Sequence, residues 1–142
     1  YKNRGTNIYD KYVDLVGLNR IHEETNLRKV IIKSSIIIVT YPETTLSEAM
    51  ASGCPTLLYY PRYYWETRPE FDYLLNKLEE VKIFHEDSFS ITKHLNEIND
   101  NPFDWWESSS VRTVRSEFHK MTGVLDRNKI DKWKQFITSC VA

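Results

Sequence analysis

The chain alternates short apolar runs with longer stretches in which apolar residues recur every third or fourth position. The run at 36–39, Ile-Ile-Ile-Val, is β-branched throughout. It is too short for a helix and apolar on both faces, which predicts a strand covered from both sides, as in a parallel sheet. A crossover helix is then expected. Thr45-Leu46-Ser47-Glu48 spells a capping box, in which the Thr45 hydroxyl accepts from a first-turn amide and Glu48 reaches back to the cap amide. Gly53 stands where a left-handed residue closes a helix, and Pro55 keeps it from continuing. A second strand over 55–60 completes a compact βαβ unit.

The same periodicity organises the rest. Phe71, Leu74, Leu75 and Leu78 form a stripe on a helix over 69–81, and 82–85 is a short third strand. Ile91, Leu95 and Ile98 mark a helix over 88–99. Beyond Asn101-Pro102, Ser110 is read as the cap of a helix carrying Val111, Val114, Phe118 and Met121, and Gly123 ends it. A last helix over 128–140 is expected to turn Ile130, Trp133 and Ile137 inward. Upstream, Leu27, Val30 and Ile31 give helical spacing within 24–35, while 1–20 reads as an irregular lead-in. The expectation is one α/β domain over 1–142, a Rossmann-like parallel sheet with a helical cover over 101–142.

Charge narrows the partners. Lys and Arg number 19 against 20 Asp and Glu, a formal net charge of −1. That supplies no overall attraction to nucleic acid or to an anionic membrane, so a small molecule or a protein is the expected partner. No apolar stretch approaches the ~20 residues of a membrane span, and no leader pattern opens the chain. A cytoplasmic, soluble protein is expected. Cys54 and Cys140 show no CxxC spacing, and His22, His85, His94 and His119 show no metal spacing. No disulfide framework, metal or cofactor is expected. The first residue is Tyr, so a missing N-terminal domain is expected upstream.

In an open parallel sheet, ligands bind beyond the carboxyl ends of the strands, where loops meet helix N-termini. The turn after the first strand, from Tyr41 to the Thr44-Thr45 pair, is such a place. Free first-turn amides with two hydroxyls suit a diphosphate; a plain helix cap is the competing reading. The second rim loop, 61–70, presents Arg62, Tyr63, Tyr64, Trp65, Glu66 and Arg68. Guanidinium groups suit phosphate, and aromatic rings suit a base or sugar. Alternatively the rings tuck under the next helix and Arg68 pairs Glu66 or Glu70. One of Trp105 and Trp106 anchors the helical cover while the other meets a different layer or a partner domain, since adjacent helical positions share no face. Arg115 either pairs an acid such as Glu107 or points to the cleft. His85 is read as a capping or solvated residue near the rim. Neither GxGxxG nor GxxxxGK occurs, so no dinucleotide fingerprint or P-loop is present.

Three blocks, IIIVTYPETTLSEAMASGCPTLLYY, YYWETRPEFDYLLNKLEEVKIFHED and HLNEINDNPFDWWESSSVRTVRSEF, resemble a transferase family found in bacterial O-antigen and surface-polysaccharide gene clusters. The resemblance covers roughly residues 36–118. It implies similarity to the C-terminal, donor-binding half of two-domain GT-B glycosyltransferases and of the related CDP-glycerol glycerophosphotransferases. The implied partner is a nucleotide-activated donor, and the implied location is cytoplasmic or peripheral at the inner membrane through the acceptor. By position, Thr44 and Thr45 are then phosphate-side, Glu48 a ribose or structural partner, and Trp65, Glu66 and Arg68 the donor-cleft motif. One departure stands out: the family has Gly before its I-F-H block, where this chain has Val81-Lys82. A non-catalytic Rossmann-like docking module is the alternative function, and an epimerase- or pyruvyl-transfer-like enzyme would share the same scaffold.

Overall fold

Three parallel strands organise the larger part of the molecule. The structure, a computed structural model, describes residues 8–21, 24–64, 66–123 and 128–141. The chain divides into two compact units, residues 1–33 and 34–142.

In the first unit, α1 (Ile8–Val16) is followed by a 3-10 turn (Leu18–Arg20) and by α2 (Leu27–Lys33). The described part of the lead-in expected to be irregular, residues 8–20, is therefore largely helical. Tyr9, Tyr12, Val13 and Val16 supply the three- and four-residue spacing, which the charged residues between them obscure. Gly17 ends α1 at φ +85°, its amide bonded to the Val13 carbonyl at 2.8 Å. Asn26 opens α2, its side chain accepting from the Lys29 amide at 3.3 Å.

The second unit runs β1 (Ile37–Val39), α3 (Thr44–Ala51), β2 (Thr56–Tyr59), a 3-10 turn (Arg62–Tyr64), α4 (Pro69–Glu80) and β3 (Phe84–His85). Then follow α5 (Ser88–Ile98), α6 (Pro102–Trp106), α7 (Ser109–Thr122) and α8 (Lys129–Val141). The strands pair in the order β1-β2-β3, all parallel. Register places Val39, Leu58 and Phe84 on one face and Ile38, Leu57, Tyr59 and His85 on the other. Both crossovers step in the same direction across the sheet, and both α3 and α4 pack on α7. The main core lies there: Leu46, Ala49 and Met50 from α3, Leu74, Leu75 and Leu78 from α4, and Val111, Val114 and Phe118 from α7. Each of the fully buried leucines contributes about 2 kcal/mol of transfer free energy.

The opposite face is covered by α5, which packs on β2 and β3. The helix is capped by Asp87, whose carboxylate accepts from the Ser90 amide at 2.8 Å. β1 lies at the edge beyond its reach, and Ile38 is 47% exposed. The expected two-sided burial of this strand thus holds for Val39 alone of its two outer-strand faces, because three strands are wider than one covering helix.

Several local expectations need correction. The capping box at Thr45 and Glu48 does not form: α3 starts one residue earlier, Glu43 is its N-cap, and no side chain caps it. The phase of α3 is set by burial of Leu46, Ala49 and Met50, which makes Thr45 an ordinary first-turn residue. Ser108, not Ser110, precedes α7, and Met121 is exposed. α8 exists, but Ile130, Trp133 and Ile137 face outward rather than inward. Two expectations hold. Gly53 follows α3 at φ +80°, and Trp106, fully buried, anchors α6 by donating from Nε1 to the Gly53 carbonyl at 2.8 Å. Trp105 packs against the same core but also reaches the α5 layer, donating to the Val81 carbonyl at 3.1 Å and packing edge-on to His94.

Candidate functional site

Because the strands are parallel, their carboxyl ends share one rim. From β1 the chain turns at Tyr41–Glu43 into α3; from β2 it leaves through Tyr60 and Arg62; from β3 it passes Glu86 and Asp87 into α5.

At the first turn, the Glu43 amide bonds the Tyr41 carbonyl at 3.1 Å, and the Leu46 amide is already taken by the Glu43 carbonyl at 3.0 Å. The amides of Thr44 and Thr45 donate to no described residue. Thr44 is exposed and Thr45 half-buried, and their unengaged amides stand at the positive end of α3. Glu43, an acid, directly precedes them in the chain. Tyr41 is exposed, and Glu48 lies one turn further along α3, also exposed.

The second loop is held from within. Arg62 Nη2 reaches Glu79 Oε2 at 2.7 Å, Nη1 donates to Asn76 Oδ1 at 2.6 Å, and Nε lies 2.8 Å from Glu86 Oε1, off the hydrogen-bond line. Its guanidinium also covers the Phe84 ring at 5.1 Å. The fork of Arg62 is thus shared among α4 and the β3 exit. Nearby in the chain, Thr67 bonds Asp72, while the Tyr60 hydroxyl is buried without a described partner. Burial first of all pushes the Tyr60 pKa up to about 12, so it stays a neutral donor. Tyr63 and Tyr64 are exposed, their rings edge to face at 5.2 Å. Trp65 lies outside the described residues. Glu66 is exposed. Arg68 is the N-cap residue of α4; its guanidinium makes no hydrogen bond or ion pair with a described residue, so neither Glu66 nor Glu70 holds it.

Sequence reasoning overlooked the partners that build the third side. His85 is buried, with Nε2 2.9 Å from the Lys82 carbonyl and Nδ1 2.7 Å from Ser90 Oγ. A carbonyl only accepts, so Nε2 carries the proton and Nδ1 accepts from Ser90. Burial holds the ring's pKa below the ordinary histidine value. His85 therefore ties β3 to α5 from within, rather than standing solvated at the rim. Arg115 takes the pairing alternative: Nη1 donates to the Trp106 carbonyl at 2.9 Å and to Glu107 Oε1 at 3.1 Å, with the guanidinium 4.0 Å over the Trp106 ring. Glu86, Glu79 and Asn76 carried a readable signal only in part, an acid directly after an apolar strand. Among the described residues, no group of three or more His, Cys, Asp or Glu is disposed to hold a metal ion.

With this geometry in view, comparison with protein families is informative. Residues 1–137 match the family described as "LIC12162 family transferase". The chain belongs to that family. No curated protein and no solved structure matches it. Among the described residues, no helix is long and apolar enough to cross a membrane.

Proposed function

We propose that this chain binds the nucleotide-diphosphate part of an activated donor, such as a nucleotide sugar, for a transfer in surface-polysaccharide or O-antigen assembly on the cytoplasmic side. In this reading the domain serves as the C-terminal half of a GT-B-type transferase, and the acceptor side comes from an N-terminal domain. The unengaged amides of Thr44 and Thr45 carry the proposal. They are preorganised donors at the positive end of a helix, suited to charge that builds on a departing diphosphate. Arg68, with no partner among the described residues, supplies positive charge, and its planar fork suits phosphate oxygens. In this reading Glu48 is the ribose-side partner, and Tyr41, Arg62 and Glu66 belong to the donor cleft.

Calorimetric titration with CDP, UDP and GDP tests this. The double variant Thr44→Ala, Thr45→Val is expected to lose at least tenfold in affinity for the preferred diphosphate while melting at the parental temperature. Equal affinity removes the turn from the site. Arg68→Lys is expected to lose turnover in the longer enzyme, because a point charge does not replace a bidentate fork. A nucleotide panel that leaves the melting temperature unmoved favours the docking-module reading, since a native-state ligand at a hundredfold excess over Kd contributes about 2.7 kcal/mol.

A further inference from the structure

We infer that the cleft between α7 and the end of α6 is an anion site, separate from the rim, that takes the phosphate group of a phosphate monoester. Arg112, Arg115, Ser116, His119 and Lys120 line an open cavity of about 480 Å³, and Glu107 is the one carboxylate among its described lining residues. The five recur at three- and four-residue steps, so they share one side of α7, an arc of about 140° at about 100° per residue. Val111, Val114 and Phe118 turn to the core instead. Glu117, the acid of α7, lies about 60° outside the arc, beyond Lys120.

The polar groups of this face are largely uncommitted. The side chains of Arg112 and Lys120 are exposed and make no hydrogen bond or ion pair with a described residue. The Ser116 hydroxyl is likewise free, whereas Thr113 and Thr122 of the same helix return theirs to the Ser109 and Phe118 carbonyls at 2.8 Å. Arg115 is fixed by one end only. Nη1 holds the Trp106 carbonyl and Glu107, and the guanidinium lies over the Trp106 ring, while Nη2 bonds no described residue and Nε is buried without one. Burial, and then the Arg115 charge, hold the His119 ring below its ordinary pKa against a hydrogen bond to the Met50 backbone. Three permanent cations thus face one carboxylate, in a chain whose formal net charge is −1.

That set of groups suits a phosphate monoester, which carries about −1.5 to −2 at neutral pH on three acceptor oxygens. Two guanidinium groups, a hydroxyl and an ammonium supply the donors. Helix electrostatics alone do not explain the pattern. Lys120 and His119 in the last turn of α7 complement its dipole, but Arg112 stands in the first turn, where a cation is disfavoured. Nor is this the rim. Met50, which His119 touches, lies in the last turn of α3, and Thr44 and Thr45 in its first.

Proton–nitrogen correlation spectra of the whole chain, titrated with inorganic phosphate and with glucose 1-phosphate at constant ionic strength, test the inference. Saturable shifts are expected at the amides of Arg112, Ser116 and Lys120 and at the Trp106 indole. Arg112→Gln, Lys120→Gln is expected to weaken the binding at least tenfold at the parental melting temperature, since both side chains are exposed and without a described partner. Thr44→Ala, Thr45→Val is expected to leave it unchanged. Co-sedimentation with phosphatidic acid vesicles separates the two carriers of such a group: the soluble ester is expected to bind alone, and pelleting that Arg112→Gln, Lys120→Gln abolishes assigns the same site to a headgroup. Equal affinity in Arg112→Gln, Lys120→Gln overturns the inference, as do shifts confined to Thr44 and Thr45 or a response that chloride reproduces.

Discussion

The imidazole rings of His85 and His94 lie 5.5 Å apart, one at the end of β3 and the other on α5. Both are buried, and His94 Nε2 has no partner among the described residues. Burial is the main reason each ring stays below its ordinary pKa; for His94 the weak contact to Glu97 Oε2 at 3.4 Å opposes the shift without reversing it.

A pH dependence of stability follows. The unfolded chain binds protons near pH 6.5 that the folded chain does not, so stability rises with pH across that window. It is complete above about pH 6.5 and declines as the pH falls from there through the lower folded-state values. Thermal melts from about pH 8 to about pH 5 are expected to show this decline. His94→Phe is expected to flatten it, while His85 and His119, also shifted down by burial, leave a residual slope. A parental slope in His94→Phe would clear His94 of any part.

Lys82 sits at φ +61°, the one described non-glycine residue in the left-handed region. Its ion pair with Glu97 at 2.7 Å is largely exposed and contributes little. Lys82→Gly is expected to stabilise the fold by about 0.5–1 kcal/mol, the relief of left-handed strain exceeding the added chain entropy. Denaturant midpoints of the two proteins decide it, and a lower midpoint for the variant refutes it.

Trp106 and Trp105 differ in consequence despite their adjacency. Trp106→Phe vacates a fully buried volume, unbinds the Gly53 carbonyl and removes the surface on which Arg115 lies. A loss of about 2–4 kcal/mol is expected. Trp105→Phe, half-buried, forfeits chiefly the bond to the Val81 carbonyl, about 1 kcal/mol. Comparable unfolding midpoints for the two variants would contradict this ranking.

Glu43 is the N-cap residue of α3, directly before Thr44 and Thr45. An acid there favours the helix dipole but repels a bound anion. Glu43→Gln is therefore expected to raise nucleotide-diphosphate affinity about threefold to tenfold at low salt, with the gain shrinking as salt rises. Titrations at two ionic strengths check it, and an unchanged or weaker affinity places the anion away from this turn.

Much of the molecule was legible as sequence. The β-branched run at 36–39, the Gly53-Pro55 stop and the leucine stripe of α4 each encode local geometry through sterics and periodicity, and all three appear where expected. The rim could be located by the same means, since its position follows from strand direction. What depended on long-range packing was not legible. Burial of Leu46 and Met50, rather than hydroxyl chemistry, chose where α3 begins and left Thr45 uncapped. Only the fold brought Glu79 and Glu86, 17 and 24 residues away, onto Arg62. Periodicity established that α8 is an amphipathic helix, but not which way its apolar face turns. Periodicity reports that a face is apolar, whereas the arrangement of other elements in space decides what, if anything, covers it.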